Sequence, residues 1–407
     1  MKKYIILTFL FLNICFSQTP LTINWEKNFG GTNFDESWSV IQTSDGNYVF
    51  AGRTSSINFN LSSSYGGQDF MVIKINSQGT IIWSKNYGGN GQDHAYDLKE
   101  DSFGNLIIVG NTNSTNGMIT QFFGNSDIWI IKIDQLGNLI WQKSLGYQYS
   151  ENANSVEITH NNDGYLVCGR NQMSGQNNLW ILKLDLNGNI VWENTYNTIA
   201  FAREIIKSND GNYVICGNGF SSGVAGYKII KISPSGNIIW EYTYGGNSSD
   251  EPNKIIQTSD GGFIIVGGSA SSISGDVLNH YGAQGTYDGW VIKLNSLGIL
   301  EWSKNYGGTN DENLFGVVEL CDGYILSGYT NSSDFDINNS IGGFDFVLFK
   351  TDFNGNIIWS KNYGSPGWDF CYDMILNNNN EILLTVEKTV KLTTTFQSKL
   401  TIDFGAN

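Results

Sequence analysis

The heptapeptide WSKNYGG begins at Trp83 and begins again at Trp302, and WSKNYGS begins at Trp359. A segment that recurs at one place in a longer period constrains a fold more tightly than composition does, because every copy must meet the same surroundings. Aligned on the Trp, the chain divides into seven units that start at Trp25, Trp83, Trp141, Trp192, Trp240, Trp302 and Trp359, spaced 58, 58, 51, 48, 62 and 57 residues apart. Each unit reads as a Trp strand, a YGG turn, an apolar run such as SWSVIQT, an SDGN turn and a second run such as YVFAG. A variable loop follows, then a third run such as DFMVIKI and a turn such as NSQG before the next Trp. These are four short strands bounded by Gly, Asn and Asp turn chemistry, with no sustained helical period.

Four-stranded units set around an axis bury both faces against their neighbours. That accounts for runs such as NYVICG and WVIKL, which are apolar on both faces. The expected fold is therefore all-β: one domain, residues 18–407, forming a seven-bladed β-propeller with four antiparallel strands per blade. The Trp is expected to fill space between blades, and Gly88 and Gly89 to allow a sharp turn from one blade to the next. The N-terminus supplies a single strand, LTINWEKNFGG, and the chain after Trp359 supplies three, near CYDMIL, EILLTVE and FQSKLTIDF. One strand from one end joining three from the other would complete a last blade and leave no open edge.

The stretch DGNYVFAGRTSS, with the later GGQDFMVIKINSQGTIIWSKNYGGNGQD, resembles the repeat of secreted bacterial seven-bladed β-propeller proteins over nearly the whole chain. The Trp192 unit departs most, with YNTIA in place of YGGN. The elements IDQLGNLIW and LDLNGNIVW are similar to the tryptophan-docking motif of quinoprotein propellers. The adjacent cysteines that quinone dehydrogenases of that type use are absent, so this similarity implies the fold and not the activity.

The first residues, MKKYIILTFLFLNICFSQ, place two lysines before a short apolar run and a small residue. This is the layout of a signal peptide over residues 1–17, and it implies a secreted or periplasmic protein without membrane insertion. Ile14 precedes Cys15 where a lipoprotein signal has a small residue, so a lipid anchor is the lesser reading. The whole chain carries a formal charge of −15, which disfavours nucleic acid as a partner. Cys168 and Cys216 occupy equivalent places in LVCGR and VICGN, so they and Cys321 and Cys371 are expected as buried free thiols.

Three scattered histidines, His94, His160 and His280, and the absence of a nucleophile elbow or an HExxH helix argue against an enzyme. Ten residues after each Trp stand Asp35, Asp93, Glu151, Ala202, Asp250, Glu312 and Asp369. The six acids form a ring that either caps local turns or holds a hard cation such as Ca²⁺; capping is preferred, since a repeated residue serves a repeated structure. Asp334, Asp336, Asn338 and Asp345 fall at the 1, 3, 5 and 12 spacing of a calcium loop, but without its glycine or final Glu. Asp345 also belongs to a set with Asp69, Asp127 and Asp288 that leads into the third strand. Trp38, Tyr96 and Trp368, with His280, Tyr281 and Tyr287 in the longest loop, mark a candidate face for ligand. The lysines Lys74, Lys132, Lys183, Lys231, Lys293 and Lys350 recur as strand architecture.

The leading expectation is a secreted, non-enzymatic binding protein that presents variable loops to a protein or a glycan and carries no cofactor other than, in the minor reading, Ca²⁺. The alternatives are a polysaccharide-active enzyme using a pair such as Asp35 and Asp369, and a structural module of an envelope assembly. The sequence leaves the oligomeric state open.

Overall fold

A computed structural model of the protein describes residues 22–58, 65–173, 176–198, 201–221, 224–338, 340–390, 393–398 and 402–403. The segment read as a signal peptide lies outside them. Among the described residues no helix is long and apolar enough to cross a membrane.

The first blade is a four-stranded antiparallel sheet of Asp35–Gln42, Tyr48–Thr54, Asp69–Ile75 and Ile81–Tyr87, in that order from the centre outward. Five more blades repeat it, with innermost strands Asp93–Glu100, Asn152–Ile158, Phe201–Lys207, Asp250–Gln257 and Glu312–Leu320. The remaining sheet differs. It holds six strands: Asp369–Leu376, Ile382–Val390, Thr393–Ser398 and Ile402–Asp403 from the C-terminal region, and Thr22–Ile23 and Lys27–Phe29 from the N-terminal region.

The expectation of seven equal blades is thus corrected to six four-stranded blades and one six-stranded closing sheet. The outer strands of the blades carry a register shift just before the Trp, as between Ile81 and Trp83. At the equivalent place the N-terminal chain leaves the ladder at Asn24–Glu26, so its contribution splits in two. The two ends do pair: Lys27 with Ser398 and Phe29 with Phe396. The ring closes through side chains as well. Asp373 of the closing sheet accepts the Val40 N–H of the first blade at 3.0 Å, and Asn377 donates to the Tyr48 hydroxyl at 2.7 Å.

Burial follows the ring. The third strand of the first blade, DFMVIKI, is buried at every position, whereas the outermost is half-exposed. Each junction between neighbouring sheets has its own apolar cluster: Val49, Phe70 and Trp129 between the first two blades, and Phe29, Phe50 and Leu383 between the closing sheet and the first blade. Buried area of this kind contributes roughly 25 cal/mol per Å².

The lysine of each third strand sits in that interior and is neutralised within its own blade by the Asp of the SDGN-type turn. Lys74–Asp45, Lys132–Asp101, Lys183–Asp163, Lys231–Asp210, Lys293–Asp260 and Lys350–Asp322 lie 2.6–2.9 Å apart. A charge can be placed among apolar strands only when paired in this way.

The opening heptapeptide is a docking clip on the rim. The Trp83 indole donates to the Gln135 carbonyl in the next blade at 2.9 Å, and Trp141 and Trp302 reach Leu186 and Phe353 in the same manner. The Tyr87 hydroxyl donates to the Gly137 carbonyl at 2.5 Å, and Lys85 reaches Asn138 at 2.9 Å. Gly137 has φ +76°, and a Cβ there would lie 2.9 Å from the Lys85 side chain and 3.3 Å from the Trp83 ring, so a side chain would be both strained and crowded. The Trp does pack between adjacent blades, as expected, but from the outer rim and half-exposed; among the described residues the buried indoles are Trp129, Trp180 and Trp290.

Candidate binding site at the channel mouth

Every innermost strand carries one irregularity at the same height. The pairing register slips between Ser37 and Ser39, Ala95 and Asp97, Ala153 and Ser155, Ala202 and Glu204, Pro252 and Lys254, Leu314 and Gly316, and Cys371 and Asp373. A bulge sets two residues against one and re-aims the extra side chain. The extra residues are Trp38, Tyr96, Asn154, Arg203, Asn253, Phe315 and Tyr372. All seven are half-buried and all line one cavity of about 470 Å³ on the axis.

The bulge also explains the glycine at the centre of the second strand. A Cβ on Gly52, Gly110, Gly169, Gly267 or Gly328 would lie within 2.0 Å of a carbonyl oxygen of the bulged strand. In these five blades glycine lets the two backbones approach, whereas in the closing sheet Val386 stands opposite Cys371 at the bulge.

The mouth has two unlike sides. On one, Trp38 stacks on Tyr96 with centroids 5.0 Å apart, and the Arg53 guanidinium lies 4.8 Å from the Trp38 ring. Phe315 meets Tyr372 edge-on at 5.8 Å, and Tyr372 continues through Phe370 to Trp368, which is 56 % exposed on the surface. On the other side stand amides and cations. Asn154 donates to the Ala202 carbonyl, and Asn253 to the Leu314 carbonyl at 2.9 Å, so both amides are held by the following blade. Arg170 and Arg203 stand beside Phe201.

The floor is a bar of charge. Lys254 bridges Glu204 at 3.0 Å and Asp373 at 3.1 Å, reaching past the blade where Gly316 presents no side chain. Asp97 accepts from Ser39 at 3.0 Å, from Ser155 at 2.8 Å and from the Val156 N–H. Glu204 and Lys254 line both this cavity and a second one of about 480 Å³ on the opposite side, which also presents Lys99, Glu157 and Lys207. The nearby acids hold the Lys254 ammonium well above the usual lysine range against the opposing effect of burial, so the bar stays charged.

Behind Trp38 lies a buried acid pair. Glu36 is bound by Arg53 at 2.6 Å, and Tyr372 donates to Glu387 at 3.0 Å. Burial, with Glu36 close by, pushes the Glu387 carboxyl up to about 7. His94 contacts Gln68 at 2.8 Å, and burial together with Arg53 lowers it to about 4.

The sequence-selected residues fall into three groups. Trp38 and Tyr96 are at the mouth, and Trp368 is on the surface joined to it by the aromatic chain. The acid ring is not on the channel: Asp35, Asp93, Glu151, Asp250, Glu312 and Asp369 are at most 1 % exposed. Each accepts the backbone N–H four residues earlier, for example Gly31 to Asp35 at 2.7 Å and Ser365 to Asp369 at 2.7 Å. Most also accept a hydroxyl from the end of the second strand, such as Thr54 or Thr330. Asp35 and Asp369 thus serve separate turns.

The calcium-spaced residues do not converge. Asp334 accepts the Thr309 N–H, Asp336 the Gly307 N–H, Asn338 contacts Ser360 and Asp345 accepts the Ile341 N–H. Asp276 accepts the Gly245 N–H in the preceding blade just as Asp336 does here, which marks a repeated loop closure. Among the described residues no three His, Cys, Asp or Glu side chains form a group fit for a metal.

In the long loop, His280 lies 3.0 Å from Asp288, Tyr281 packs on Phe335 at 5.2 Å, and the Tyr287 N–H donates to Asp311. His160 is built in by the Asn212 carbonyl and the Tyr213 ring. Cys168, Cys216 and Cys371 are free and buried, as expected, whereas Cys321, expected to be buried, is exposed.

Arg203 and Arg170 were missed. Counting from the Trp places Ala202 and Ile205 in the fourth unit's slots, but the blade-to-blade turn there is two residues shorter. Trp192 precedes its bulge residue by 11 positions, whereas Trp83 precedes Tyr96 by 13. Counting back from the second-strand glycine pairs Gly217 with Ala202, so the extra residue that follows in the bulge is Arg203.

No family model matches the chain, and no curated protein does. Among solved structures, hydrazine synthase of Kuenenia stuttgartiensis is similar with a TM-score of 0.55 at 10 % identity, over 90 % of this chain and 96 % of that one. A periplasmic gluconolactonase of Pseudomonas aeruginosa gives 0.47 at 11 % identity over 88 % and 96 %. Chaetomium thermophilum Sqt1, bound to the N-terminus of ribosomal protein L10, gives 0.47 at 10 % identity over 92 % and 99 %. At such identities the first likeness supports the propeller fold and nothing about activity.

Proposed function

We propose that the protein is a secreted or periplasmic binding protein whose closing sheet completes the ring as a seventh sector, and whose ligand seats in the channel mouth. The observation that carries this reading is the bulge set. All seven innermost strands aim their one unpatterned side chain into a single cavity, and the volume is that of a small-ligand pocket. The aromatic side and the amide side together suit a glycan end or a peptide side chain, with rings for an apolar face and amides for hydroxyls or carbonyls. Sqt1, a propeller, holds a protein N-terminus, which supports peptide as the other class. The N-terminal MKKYIILTFLFLNICFSQ supports export.

Binding is tested on a glycan array and a peptide library with the full chain and its Trp38→Ala variant. Retention of a ligand by the native chain and its loss from the variant are expected. A ligand that binds both equally would place the site elsewhere.

A further inference from the structure

The mouth contains a charge that the fold does not use. Arg170 lines the cavity, and among the described residues no carboxylate lies within ion-pair distance of it. Its Nε is buried and makes no hydrogen bond. Burial lowers the Arg170 guanidinium from its ordinary range, so the position costs stability. Arg203, on the adjacent blade, has the same buried, unbonded Nε, and its one ion pair is with Glu251 at 3.3 Å, with both side chains more than a third exposed.

The six third-strand lysines each have an acid within their own blade, and the chain carries a surplus of acids, with 38 Asp and Glu against 23 Lys and Arg. Two under-committed guanidiniums in so acidic a chain call for a ligand charge. Their surroundings narrow its kind. Arg170 packs over Phe201 at 5.0 Å, and its charge acts on the Tyr96 hydroxyl, so it faces the aromatic side of the mouth. Asn152, Asn154 and Asn253 stand on the same side as the arginines.

We propose that the site takes a terminal acidic sugar: its carboxylate held by Arg170 and Arg203, its ring face against Trp38 and Tyr96, and its hydroxyls by the asparagines. Planar guanidinium forks match a carboxylate in two parallel hydrogen bonds, which a neutral sugar cannot offer. The charged bar of Lys254, Glu204 and Asp373 closes the cavity below, so a chain end fits and a threaded polymer does not. The acidic exterior likewise opposes a long polyanion and leaves a single terminal carboxylate as the anion that gains most. This inference rests on the channel mouth being the binding site.

The test is calorimetry with three probes: a disaccharide ending in glucuronate, its methyl ester, and the disaccharide ending in glucose. The native chain is expected to prefer the acid about 10- to 100-fold over the ester, with the preference shrinking as salt rises. Arg170→Gln and Arg203→Gln should each remove most of that preference, weakening the acid far more than the ester. Trp38→Ala should weaken the acid and the ester alike. Equal affinity for acid and ester, with Trp38→Ala still disruptive, would overturn the acidic-sugar inference and leave the channel-mouth site standing. No binding of any of the three probes would also overturn the inference, and loss of a library ligand on Trp38→Ala would show separately that the mouth still binds. Melting curves of both arginine variants report folding: Arg170→Gln is expected to be as stable as the native chain or more so, since a charge without an ion pair is removed, and Arg203→Gln to fall only slightly below it, since an exposed pair with Glu251 is lost.

Discussion

The rim and the channel of this ring are built from the same repeat and obey opposite rules. On the rim, two units place a Trp, a Lys and a Tyr on the same three backbone or amide groups of the next blade, and other units keep the Trp or the Tyr contact. Around the channel, the bulge position reads Trp, Tyr, Asn, Arg, Asn, Phe and Tyr, and no two adjacent sectors agree. Repetition marks residues that solve a problem every blade shares, which is docking to its neighbour. Variation at a position whose backbone is held constant marks side chains that the blades do not need for one another. The channel is where the scaffold is free to acquire a ligand.

The sharpest way to break this distinction is to attack the backbone that both regions share. Gly110→Ala would drive a methyl to 1.8 Å from the His94 carbonyl oxygen, where neither strand can yield without losing the bulge. A loss of at least about 3 kcal/mol, or failure to fold, is expected. Gly211→Ala is the control. It lies at φ +86° with open space around it, and should cost about 1 kcal/mol in a urea titration. Equal costs would mean that the bulge is not what the second-strand glycine serves.

Next in size is a rim clip. Trp83→Ala removes a half-buried ring and leaves the Gln135 carbonyl to water, for a loss of about 2–3 kcal/mol. Ligand affinity measured on the folded fraction should stay within a factor of about two, since the change lies at the far edge of the sheet. A large loss of affinity would show that rim and channel are coupled.

How much of this was legible beforehand follows the same division. The recurrent Trp, the strand count per blade, the recurrent lysines and the capping acids all repeat, and repetition is readable without coordinates; the pairing of each lysine with its turn Asp came only with the structure. The joining of the two chain ends was readable too, because a single strand stood alone at the start and three were left at the end. The six-stranded form of that sheet was not, since whether Asn24–Glu26 stays in the ladder depends on how Trp25 docks. Arg203 was hidden by a turn two residues short, and Arg170 by lying on a second strand in a slot where other units carry Arg53, Asn111 or Asn218. A position is found by period only while the period holds.

Acid–base behaviour offers a third contrast, between turn acids near the surface and acids in the junctions. Pairing with lysine and hydrogen bonding hold Asp210 and Asp260 down at about 2, against the opposing effect of burial. A depressed carboxyl contributes stability that is present above its unfolded value near 4 and is lost as pH falls toward 2. Burial does the reverse to Glu312 and Glu387, both pushed up to about 7, and to Asp288, pushed to about 6. A raised carboxyl contributes stability that is complete below its unfolded value near 4.5 and is lost as pH rises through 6 to 7. The melting temperature should therefore peak near about pH 5 and decline toward pH 8. Glu387→Gln keeps a donor toward Glu36 without a charge, so it should match the native chain at pH 5 and exceed it at pH 8 by on the order of 1–2 kcal/mol. A variant less stable at both pH values would show that the ionised form is the one the closing junction needs.

The smallest stability effects should fall on the side chains that matter most for ligand. Trp38→Leu gives up a stack with Tyr96 and a contact with Arg53, worth about 1 kcal/mol. Trp368→Ala alters a surface ring and should stay within about 0.5 kcal/mol of the native chain. In affinity the two should separate: Trp38→Leu weakens a mouth ligand at least about tenfold, a difference of 1.4 kcal/mol, whereas Trp368→Ala does so only if the ligand is long enough to run out along Phe370. A ligand series of increasing length reads that directly. An effect of Trp368→Ala that appears only with the longer members would make the aromatic chain a second subsite. An effect with the shortest member would mean that the ligand enters from the surface, and that the bulge residues are its far wall and not its seat.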